Sequence, residues 1–426
     1  MESRRRSKAW SGWCIATGLL VAFPTTLLQQ PVRCLLVPGA TRAIVLDDSL
    51  HWYSETPQAV PTPDGMALFG DPTFAWTRDP VHGRVRLAAP EPGQYLAGVE
   101  IPDHGTARRI DNPPGVARLV EPYVLPTGDG GAHVIWGSAS DTSRHPVRAD
   151  TAWYARWSAR SGWAERELLG PIETGMWGRN GFVGFAGNGS DLMVAVAALA
   201  GTFDRHVALF RRTAAGWMRS TVATPGTPFY VSLAHAGSRT LMAFDGREAR
   251  RNGNSAVYVT TSDDHGATWG DPVLVGSTYS GRFASPRLQS TGAGWALLWS
   301  YAPRGAAPES LLTSVSLDAG TTWVRSSGVV VPGGFAGFQA VTAQTGNIHV
   351  VLGGPAGTER LHTVIVWDGM AAAHASASRS ISIPTVARLP GQLTRVFWGR
   401  LRAAGPDSAP ELMTATLREQ GCRSTH

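Results

Sequence analysis

Two eight-residue segments of this sequence carry an aspartate in the same setting. Residues 262–269 are SDDHGATW and residues 316–323 are SLDAGTTW, so both fit the pattern Ser-x-Asp-x-Gly-x-Thr-Trp. A carboxylate beside hydroxyl groups can act as a general acid or as a ligand for a hard metal ion. It can also accept hydrogen bonds from the amides of a tight turn. The pattern therefore marks either a repeated site or a repeated structural turn.

Other motifs with a defined chemistry are absent from the sequence. The chain has no HExxH segment and no paired CxxC segments, so the common zinc signatures are missing. It also lacks a glycine-rich phosphate-binding loop followed by lysine. We therefore expect no metal and no cofactor.

The two segments belong to a longer repeat. Trp163, Trp217, Trp269 and Trp323 follow one another at steps of 52 to 54 residues, and Trp367 is a weaker echo. Within each period, short alternating apolar runs are separated by Gly, Asn and Asp, which is typical of antiparallel strands in a meander. The 49 glycines, 29 prolines and 16 tryptophans also favour β structure. A period of about 50 residues is that of a propeller blade.

We therefore predict an all-β fold, a six-bladed β-propeller of four-stranded antiparallel blades. The propeller covers residues 117–426. Residues 41–116 are a Pro-rich N-terminal extension that either adds a closing strand or forms a small appended β element. The six blades are assigned to residues 117–170, 182–225, 228–278, 283–330, 335–380 and 384–420.

In this arrangement each eight-residue segment connects the third and fourth strands of a blade. The aspartate would accept hydrogen bonds from turn amides, the glycine would adopt a positive φ, and the tryptophan would pack on the neighbouring blade. We favour this structural role because a catalytic role would repeat the same chemistry at two equivalent points of one ring. The residues assigned to it are Ser262, Asp264, Gly266, Thr268, Trp269, Ser316, Asp318, Gly320, Thr322 and Trp323.

The pattern resembles the Asp-box, or BNR repeat, of the sialidase (neuraminidase) superfamily. The two boxes match closely, and the blade pattern extends the resemblance over about residues 118–418. The resemblance implies a six-bladed propeller with the boxes on its outer rim. It also implies a central catalytic set of three arginines, a Tyr–Glu nucleophile pair and an acid/base aspartate.

One position departs from the family pattern. The family's first arginine occurs in a Phe-Arg-Ile-Pro motif, whereas the corresponding residues 119–122 here are LVEP, with Val120 at the arginine position. The sequence therefore indicates a divergent, non-catalytic member. Weak candidates for the rest of the set are Asp150, as acid/base, and Tyr230, Arg247, Glu248, Arg282 and Arg287. Each of them, taken singly, is better explained as an ordinary turn, loop or packing residue.

The N-terminus indicates export. Residues 1–40 begin with basic side chains and continue with a mostly apolar run over residues 9–28. This predicts a hydrophobic helix that is either a cleaved signal peptide, cut after Gly39, or an uncleaved membrane anchor. The propeller would then be periplasmic or extracellular, and anchored in the membrane if the helix is retained.

The cysteines bear on these alternatives. In a closed ring the chain ends meet, so Cys34 and Cys422 could form a disulfide in an oxidising compartment. Two unpaired thiols are the other alternative. Cleavage after Gly39 would remove Cys34 and leave Cys422 alone.

These observations favour a binding or interaction subunit. Of the net charge of +6, a large part lies in the first eight residues, and no basic stripe follows, so we expect no nucleic-acid partner. The expected partner is a protein of a membrane or envelope assembly, or a glycan. The alternative is a divergent exo-glycosidase, a retaining hydrolase of the sialidase type.

Overall fold

A computed structural model describes most of the chain. The contacts divide it into Met1–Val32, which lies outside the described residues, and Arg33–His426, to which the following account refers. The described residues are 34–44, 57–70, 75–78, 85–88, 96–104, 106–138, 151–172, 183–188, 191–197, 206–236, 238–247, 255–291, 293–353, 360–367, 370–380, 382–389, 393–401 and 410–420.

Antiparallel strands make up the regular structure of the described residues, and none of these residues is helical. Accordingly, within the ranges given above, no helix of a length and apolarity suited to crossing a membrane is found. The N-terminal strands are β1 (Leu35–Pro38) and β2 (Arg42–Ala43). Blade 1 contains β3 (Gln58–Thr62), β4 (Gly65–Phe69), β7 (Gly98–Pro102) and β8 (Arg108–Ile110), with an inserted hairpin of β5 (Ala75–Arg78) and β6 (Val85–Ala88).

Six further blades follow along the chain. Blade 2 contains β9 (Val120–Pro126), β10 (Gly131–Ser138), β11 (Thr151–Ser158), β12 (Gly162–Trp163) and β13 (Glu167–Pro171). Blade 3 contains β14 (Val183–Asn188), β15 (Asp191–Ala197), β16 (His206–Thr213) and β17 (Gly216–Ala223). Blade 4 contains β18 (Val231–Ala236), β19 (Arg239–Arg247), β20 (Ser255–Ser262) and β21 (Val273–Thr278).

The last three blades repeat the order. Blade 5 contains β22 (Gly281–Ser290), β23 (Trp295–Pro303), β24 (Ser310–Ser316) and β25 (Val324–Val330). Blade 6 contains β26 (Gly337–Thr342), β27 (Ile348–Gly353), β28 (Arg360–Trp367) and β29 (Met370–Arg379). Blade 7 contains β30 (Thr385–Arg388), β31 (Thr394–Leu401) and β32 (Pro410–Gln420), and β1 and β2 pair with β32 as its outer edge.

The propeller has seven blades, so the prediction of six was wrong. The missing blade lies within residues 41–116, which the sequence suggested to be an extension. Its repeat was hidden because a long connection carrying the β5–β6 hairpin separates β4 from β7, and because no tryptophan ends its last turn. The predicted four-stranded antiparallel blades are confirmed. The predicted N-terminal helix falls on residues outside those that the structure describes.

The seven first strands form the inner wall of the ring. The strands β3, β9, β14, β18, β22, β26 and β30 contact one another in this order, and β30 in turn contacts β3. The ring therefore closes, because the last blade packs against the first and buries their apolar faces in one cluster.

The core lies between the blades rather than within one layer. The buried apolar side chains of the described residues form seven clusters, and each cluster joins two successive blades. The cluster between blades 7 and 1 includes Leu68 and Phe397, both fully buried. Since each blade buries apolar surface against both neighbours, the removal of one blade would expose two clusters to water.

The two faces of the ring differ in their connections. The start of each first strand lies beside the end of the second, as Val120 pairs with Gly137 and Ser138 with Thr151 in blade 2. We call this the upper face; it carries the connections between second and third strands and those between blades. The lower face carries the short hairpins between first and second strands, and the turns between third and fourth strands.

The two eight-residue segments form the same hydrogen-bonded turn on the lower face. The Asp264 carboxylate accepts hydrogen bonds from the Thr268 amide at 2.8 Å and from the Thr268 hydroxyl at 2.7 Å. The Ser262 hydroxyl donates to the Asp264 carboxylate at 2.8 Å and accepts from the Gly266 amide at 2.7 Å. Asp318 accepts the corresponding bonds from Thr322 and Ser316 within 2.6–2.8 Å.

Each turn packs against the preceding blade. Gly266 and Gly320 have φ values of 78° and 92°, and a Cβ atom on either would approach a side chain of that blade to 2.7 Å. Trp163, Trp217, Trp269 and Trp323 all pack, partly buried, on the cluster between their own blade and the one before. This repeated contact explains the tryptophan spacing of the sequence.

Substitution of Leu68 tests whether blade 1 belongs to the ring. Leu68→Ala removes a fully buried side chain from the cluster between blades 7 and 1, and we expect it to lower the unfolding free energy by about 2–5 kcal/mol. Leu317→Ala, at a position that is 75% exposed, is the control and should change little. Urea unfolding measures both. A loss under about 1 kcal/mol for Leu68→Ala would show that blade 1 is an appendage.

Substitution of Asp318 tests the turn. Hydrogen bonds from the hydroxyl and the amide of Thr322 and from Ser316 lower the pKa of Asp318 to about 2. Its carboxylate therefore stabilises the fold above the ordinary pKa of about 3.9, and this contribution is lost as the pH falls through 2. Asp318→Asn should lower the melting temperature at pH 7 and flatten its decline between pH 4 and 2. The exposed Asp271→Asn is the control, and equal behaviour of both variants would contradict the prediction.

Candidate functional site at the centre of the ring

Three polar side chains, carried at or next to the inner strands of three blades, interact electrostatically. Tyr123 lies on β9, Tyr230 directly precedes β18, and Arg287 lies on β22. The charge of Arg287 acts on Tyr123, and both phenols act in turn on Arg287. We call these three residues the central cluster.

Two similar backbone irregularities precede Tyr123 and Arg287. Glu121 and Ser285 have φ values of 40° and 53°, although each precedes a proline, which disfavours such a backbone. In each inner strand the register shifts, so that the Glu-Pro or Ser-Pro pair lies opposite one buried tryptophan, Trp136 in blade 2 and Trp299 in blade 5. The residues that follow the two bulges are Tyr123 and Arg287.

Such bulges re-aim side chains and often occur next to functional sites. A backbone strained in this way costs about 1–3 kcal/mol per residue and persists only when the surroundings enforce it. Hydrogen bonds to the backbone around both bulges supply this constraint.

Gln58 of blade 1 holds the backbone on both sides of Tyr123. Its side-chain amide donates to the carbonyl of Pro122 at 3.2 Å and accepts from the amide of Val124 at 3.0 Å. Because Gln58 is the first residue of β3, the inner strand of blade 1 holds the backbone that carries Tyr123 in blade 2.

Serine hydroxyls hold β22 on both sides of Arg287. Ser300 donates to the carbonyl of Ala284 at 2.9 Å, and the Leu288 amide donates to the Ser232 hydroxyl at 3.1 Å. The Phe283 amide donates to the Ser255 hydroxyl at 2.9 Å. The bulge that presents Arg287 therefore lies between three fixed points, one on its own blade and two on blade 4.

Asp245 positions Tyr230. This aspartate is fully buried on β19, and its carboxylate accepts hydrogen bonds from the amides of Phe229 and Tyr230, each at 2.7 Å. The Asp245 amide also donates to the carbonyl of Tyr230 at 3.2 Å. The connection that brings Tyr230 to the axis is thereby tied to the second strand of its own blade.

Burial sets the protonation of the cluster. It raises the pKa of Tyr123 well above 10, the Glu121 carboxylate raises it further, and Arg287 opposes both. Burial also lowers the pKa of Arg287, while the two phenols raise it. The guanidinium nevertheless remains charged at neutral pH, because the ordinary pKa of arginine exceeds 12. The cluster therefore offers a fixed positive charge and a protonated phenol.

The structure brings together two of the six weak candidates, Tyr230 and Arg287. Arg282 is exposed at the start of β22, and Arg247 ends β19 at the upper face. Asp150 and Glu248 lie outside the described residues. Thr151, the neighbour of Asp150, begins β11 at the upper face.

Sequence reasoning missed Tyr123, Gln58 and Asp245. A signal for Tyr123 was nevertheless present, because proline inside an inner strand predicts a bulge, and the sequence places Pro122 before Tyr123 as it places Pro286 before Arg287. Val120 was compared with an arginine of the family's first blade, but β9, which contains Val120, belongs to the second blade of this ring. The inner strand of blade 1, Gln58–Thr62, has no arginine either.

A cavity of about 430 Å³ lies away from the axis, between the outer edge of blade 7 and the β7–β8 turn. Its lining includes Arg42, His104 and Arg395, and Arg395 is paired with Asp103 at 3.2 Å. We place the candidate site at the central cluster, because hydrogen bonds between blades fix the backbone around two of its three interacting polar side chains, Tyr123 and Arg287. In the described part of the chain, no three His, Cys, Asp or Glu side chains are grouped closely enough for a metal ion.

Comparisons with known proteins show the fold. No family model and no curated protein matches the chain. A Dyadobacter fermentans protein of unknown function is 13% identical, with a TM-score of 0.51 over 90% of this chain and 99% of that one. The α-L-arabinofuranosidase Arb93A of Fusarium graminearum is 11% identical, with a TM-score of 0.44 over 70% of this chain and 93% of that one. The NanB sialidase of Streptococcus pneumoniae is 8% identical, with a TM-score of 0.44 over 70% of this chain and 68% of that one. At these identities the similarity concerns the propeller fold alone.

An alkaline titration tests the burial of Tyr123. A raised pKa means that the folded state keeps the phenol proton when the unfolded chain releases it, so stability is lost as the pH rises above about 10. We expect Tyr123→Phe to lose less unfolding free energy than the wild type between pH 8 and pH 11, as measured by urea unfolding. Tyr279→Phe, at a position that is 75% exposed, is the matched control. Identical pH profiles for all three proteins would contradict the buried phenol.

Proposed function

We propose that this chain is an exported propeller that works as a binding subunit and takes a carboxylate-bearing glycan at the central cluster. The observation that carries the proposal is the approach of Arg287 to Tyr123 and Tyr230 from three different blades. The planar guanidinium of arginine matches a carboxylate with two parallel hydrogen bonds. Tyrosine supplies hydroxyl donors and a flat apolar face for a sugar ring.

The arrangement supports preorganised binding. Tyr123 and Arg287 stand on strands whose backbone is held by neighbouring blades, and Asp245 of its own blade holds Tyr230. Little conformational freedom therefore remains to be lost when a ligand binds. Specific placement of a few polar groups in an otherwise enclosed site is typical of small-molecule recognition.

The protonation of Tyr123 favours binding over hydrolysis. A sialidase-type nucleophile requires a phenol that gives up its proton, whereas burial and Glu121 raise the pKa of Tyr123. Val120 and the inner strand of blade 1 also lack the arginine of the resembled motif. Both features suit a site that holds an acidic sugar without cleaving it.

The second candidate function is a divergent retaining exo-glycosidase. The observation in its favour is that the carboxylate of Glu121 and the guanidinium of Arg287 both act on the Tyr123 phenol, the residue types of a Tyr–Glu pair beside an arginine. Asp150, directly before β11 at the upper face, would then be the acid/base residue. The partner-protein alternative would use the same upper face with its loops.

The proposed function includes a location outside the cytoplasm. The basic start and the apolar run over residues 9–28 support export, with the propeller in the periplasm or outside the cell. If the run is retained, it anchors the subunit in the membrane and presents the propeller to an envelope assembly.

Calorimetric titration of the full chain with N-acetylneuraminic acid, galacturonic acid and neutral galactose tests the proposal. We expect the wild type to bind an acidic sugar more tightly than galactose, and Arg287→Ala to lose affinity about 10-fold or more, the loss for a hydrogen bond to a charged group. Arg219→Ala, an exposed arginine on β17, is the control.

Two outcomes would overturn the proposal. Equal binding of acidic and neutral sugars, unchanged in Arg287→Ala, would exclude carboxylate recognition at the central cluster. Turnover of a fluorogenic sialoside by the wild type, lost in Asp150→Ala, would instead establish the hydrolase.

A further inference from the structure

The N-terminal strand β1 completes the last blade. Leu35 to Pro38 pair with Gln420 to Leu417 of β32, and the Gly39 amide donates to the Thr416 carbonyl at 2.7 Å. Leu36 is fully buried in the cluster between blades 6 and 7, and its carbonyl accepts a hydrogen bond from the Thr363 hydroxyl of blade 6 at 2.5 Å. Residues at the two ends of the chain thus build one sheet.

The end of β32 is held firmly. The Glu419 carboxylate accepts hydrogen bonds from Thr345 at 2.8 Å and from Asn347 at 2.9 Å, and it lies 2.7 Å from the Nε2 atom of His349. These three residues belong to blade 6, so the end of β32 in blade 7 is fixed to the neighbouring blade. Cys422 follows Glu419 by three residues.

Cys34 lies beside this fixed point. It is buried in the cluster between blades 6 and 7, and it is disulfide-bonded. The sequence offers two partners, Cys14 and Cys422. The antiparallel register pairs Leu35 with Gln420, so its continuation by one residue on each strand brings Cys34 next to the segment that contains Cys422.

We propose that Cys34 and Cys422 form a disulfide that locks β1 onto β32, and that the mature protein therefore retains the chain from Cys34 onward. In its formation two thiols lose two protons and two electrons. The electrons pass by thiol–disulfide exchange to a disulfide oxidant of the exported compartment, which is reduced to its dithiol. The closed loop spans nearly the whole chain, and long loops are those in which a cross-link restricts the unfolded state most.

The proposal excludes one processing site. A cut after Gly39 would remove Cys34 and the whole of β1, leave residues 417–420 of β32 unpaired, and expose the cluster that contains Leu36. Any signal cleavage must therefore occur upstream of Cys34, or the N-terminal run remains attached as an anchor.

Peptide mapping of the exported full-length protein under non-reducing conditions tests the bond. Trypsin should release residues 34–42 linked to residues 419–423, and reduction should separate them. N-terminal sequencing should find a start at or before residue 34. Free Cys422, a link between Cys34 and Cys14, or a mature start beyond Gly39 would each overturn the proposal.

Thermal unfolding tests the function of the bond. Cys34→Ser and Cys422→Ser should each lower the melting temperature by roughly 5 °C or more, and the double variant should lose no more than either single one. Cys14→Ser is the matched control and should melt like the wild type. If a variant is not produced, the wild type with and without reductant gives the same comparison, and an unchanged melting temperature on reduction would contradict a locking role.

Discussion

Burial of apolar side chains between successive blades is the interaction on which the rest of the structure depends. Each blade presents one apolar face to the blade before it and another to the blade after it. A row of such blades would leave two faces in water, and only a closed ring leaves none. Closure therefore decides stability, and the contact between β30 and β3 together with the pairing of β1 and β32 supplies it.

Closure also creates the site. Inner strands that meet around an axis bring side chains from distant parts of the sequence together, as Tyr123 and Arg287 show across 164 residues. The backbone near these two residues adopts conformations that proline disfavours, and hydrogen bonds from Gln58 and from Ser300 hold it there. A rigid wall made by several blades is what allows such strained residues to persist.

The turns at Asp264 and Asp318 and the two bulges show two uses of a positive φ. At Gly266 and Gly320 the turn needs the conformation and glycine supplies it without strain. At Glu121 and Ser285 a residue other than glycine adopts it directly before a proline. The first pair belongs to the turns of the lower face, and the second pair precedes Tyr123 and Arg287 of the central cluster. A positive φ therefore marks a structural turn in one place and the candidate site in the other.

The sequence was sufficient for features that repeat and act locally. Strand periodicity, the tryptophan spacing and the turn residues around Asp264 and Asp318 predicted the four-stranded blades, because each depends on residues close together in the chain. The count of blades was not predicted, since the insertion between β4 and β7 interrupts the period of blade 1. Of the central cluster, Tyr230 and Arg287 were among the six weak candidates of the sequence, whereas Tyr123 and Gln58, which holds its backbone, were not.

Only the tertiary structure decided which side chains of distant blades interact and which strand completes the last blade. Both depend on contacts between blades, where the partner of a residue is set by the curvature of the whole ring and not by neighbours in the sequence. By itself, the sequence determined the class of fold and the chemistry of each turn. The ring determined that a strand from the N-terminus completes the last blade, and that an arginine of blade 5 meets a tyrosine of blade 2.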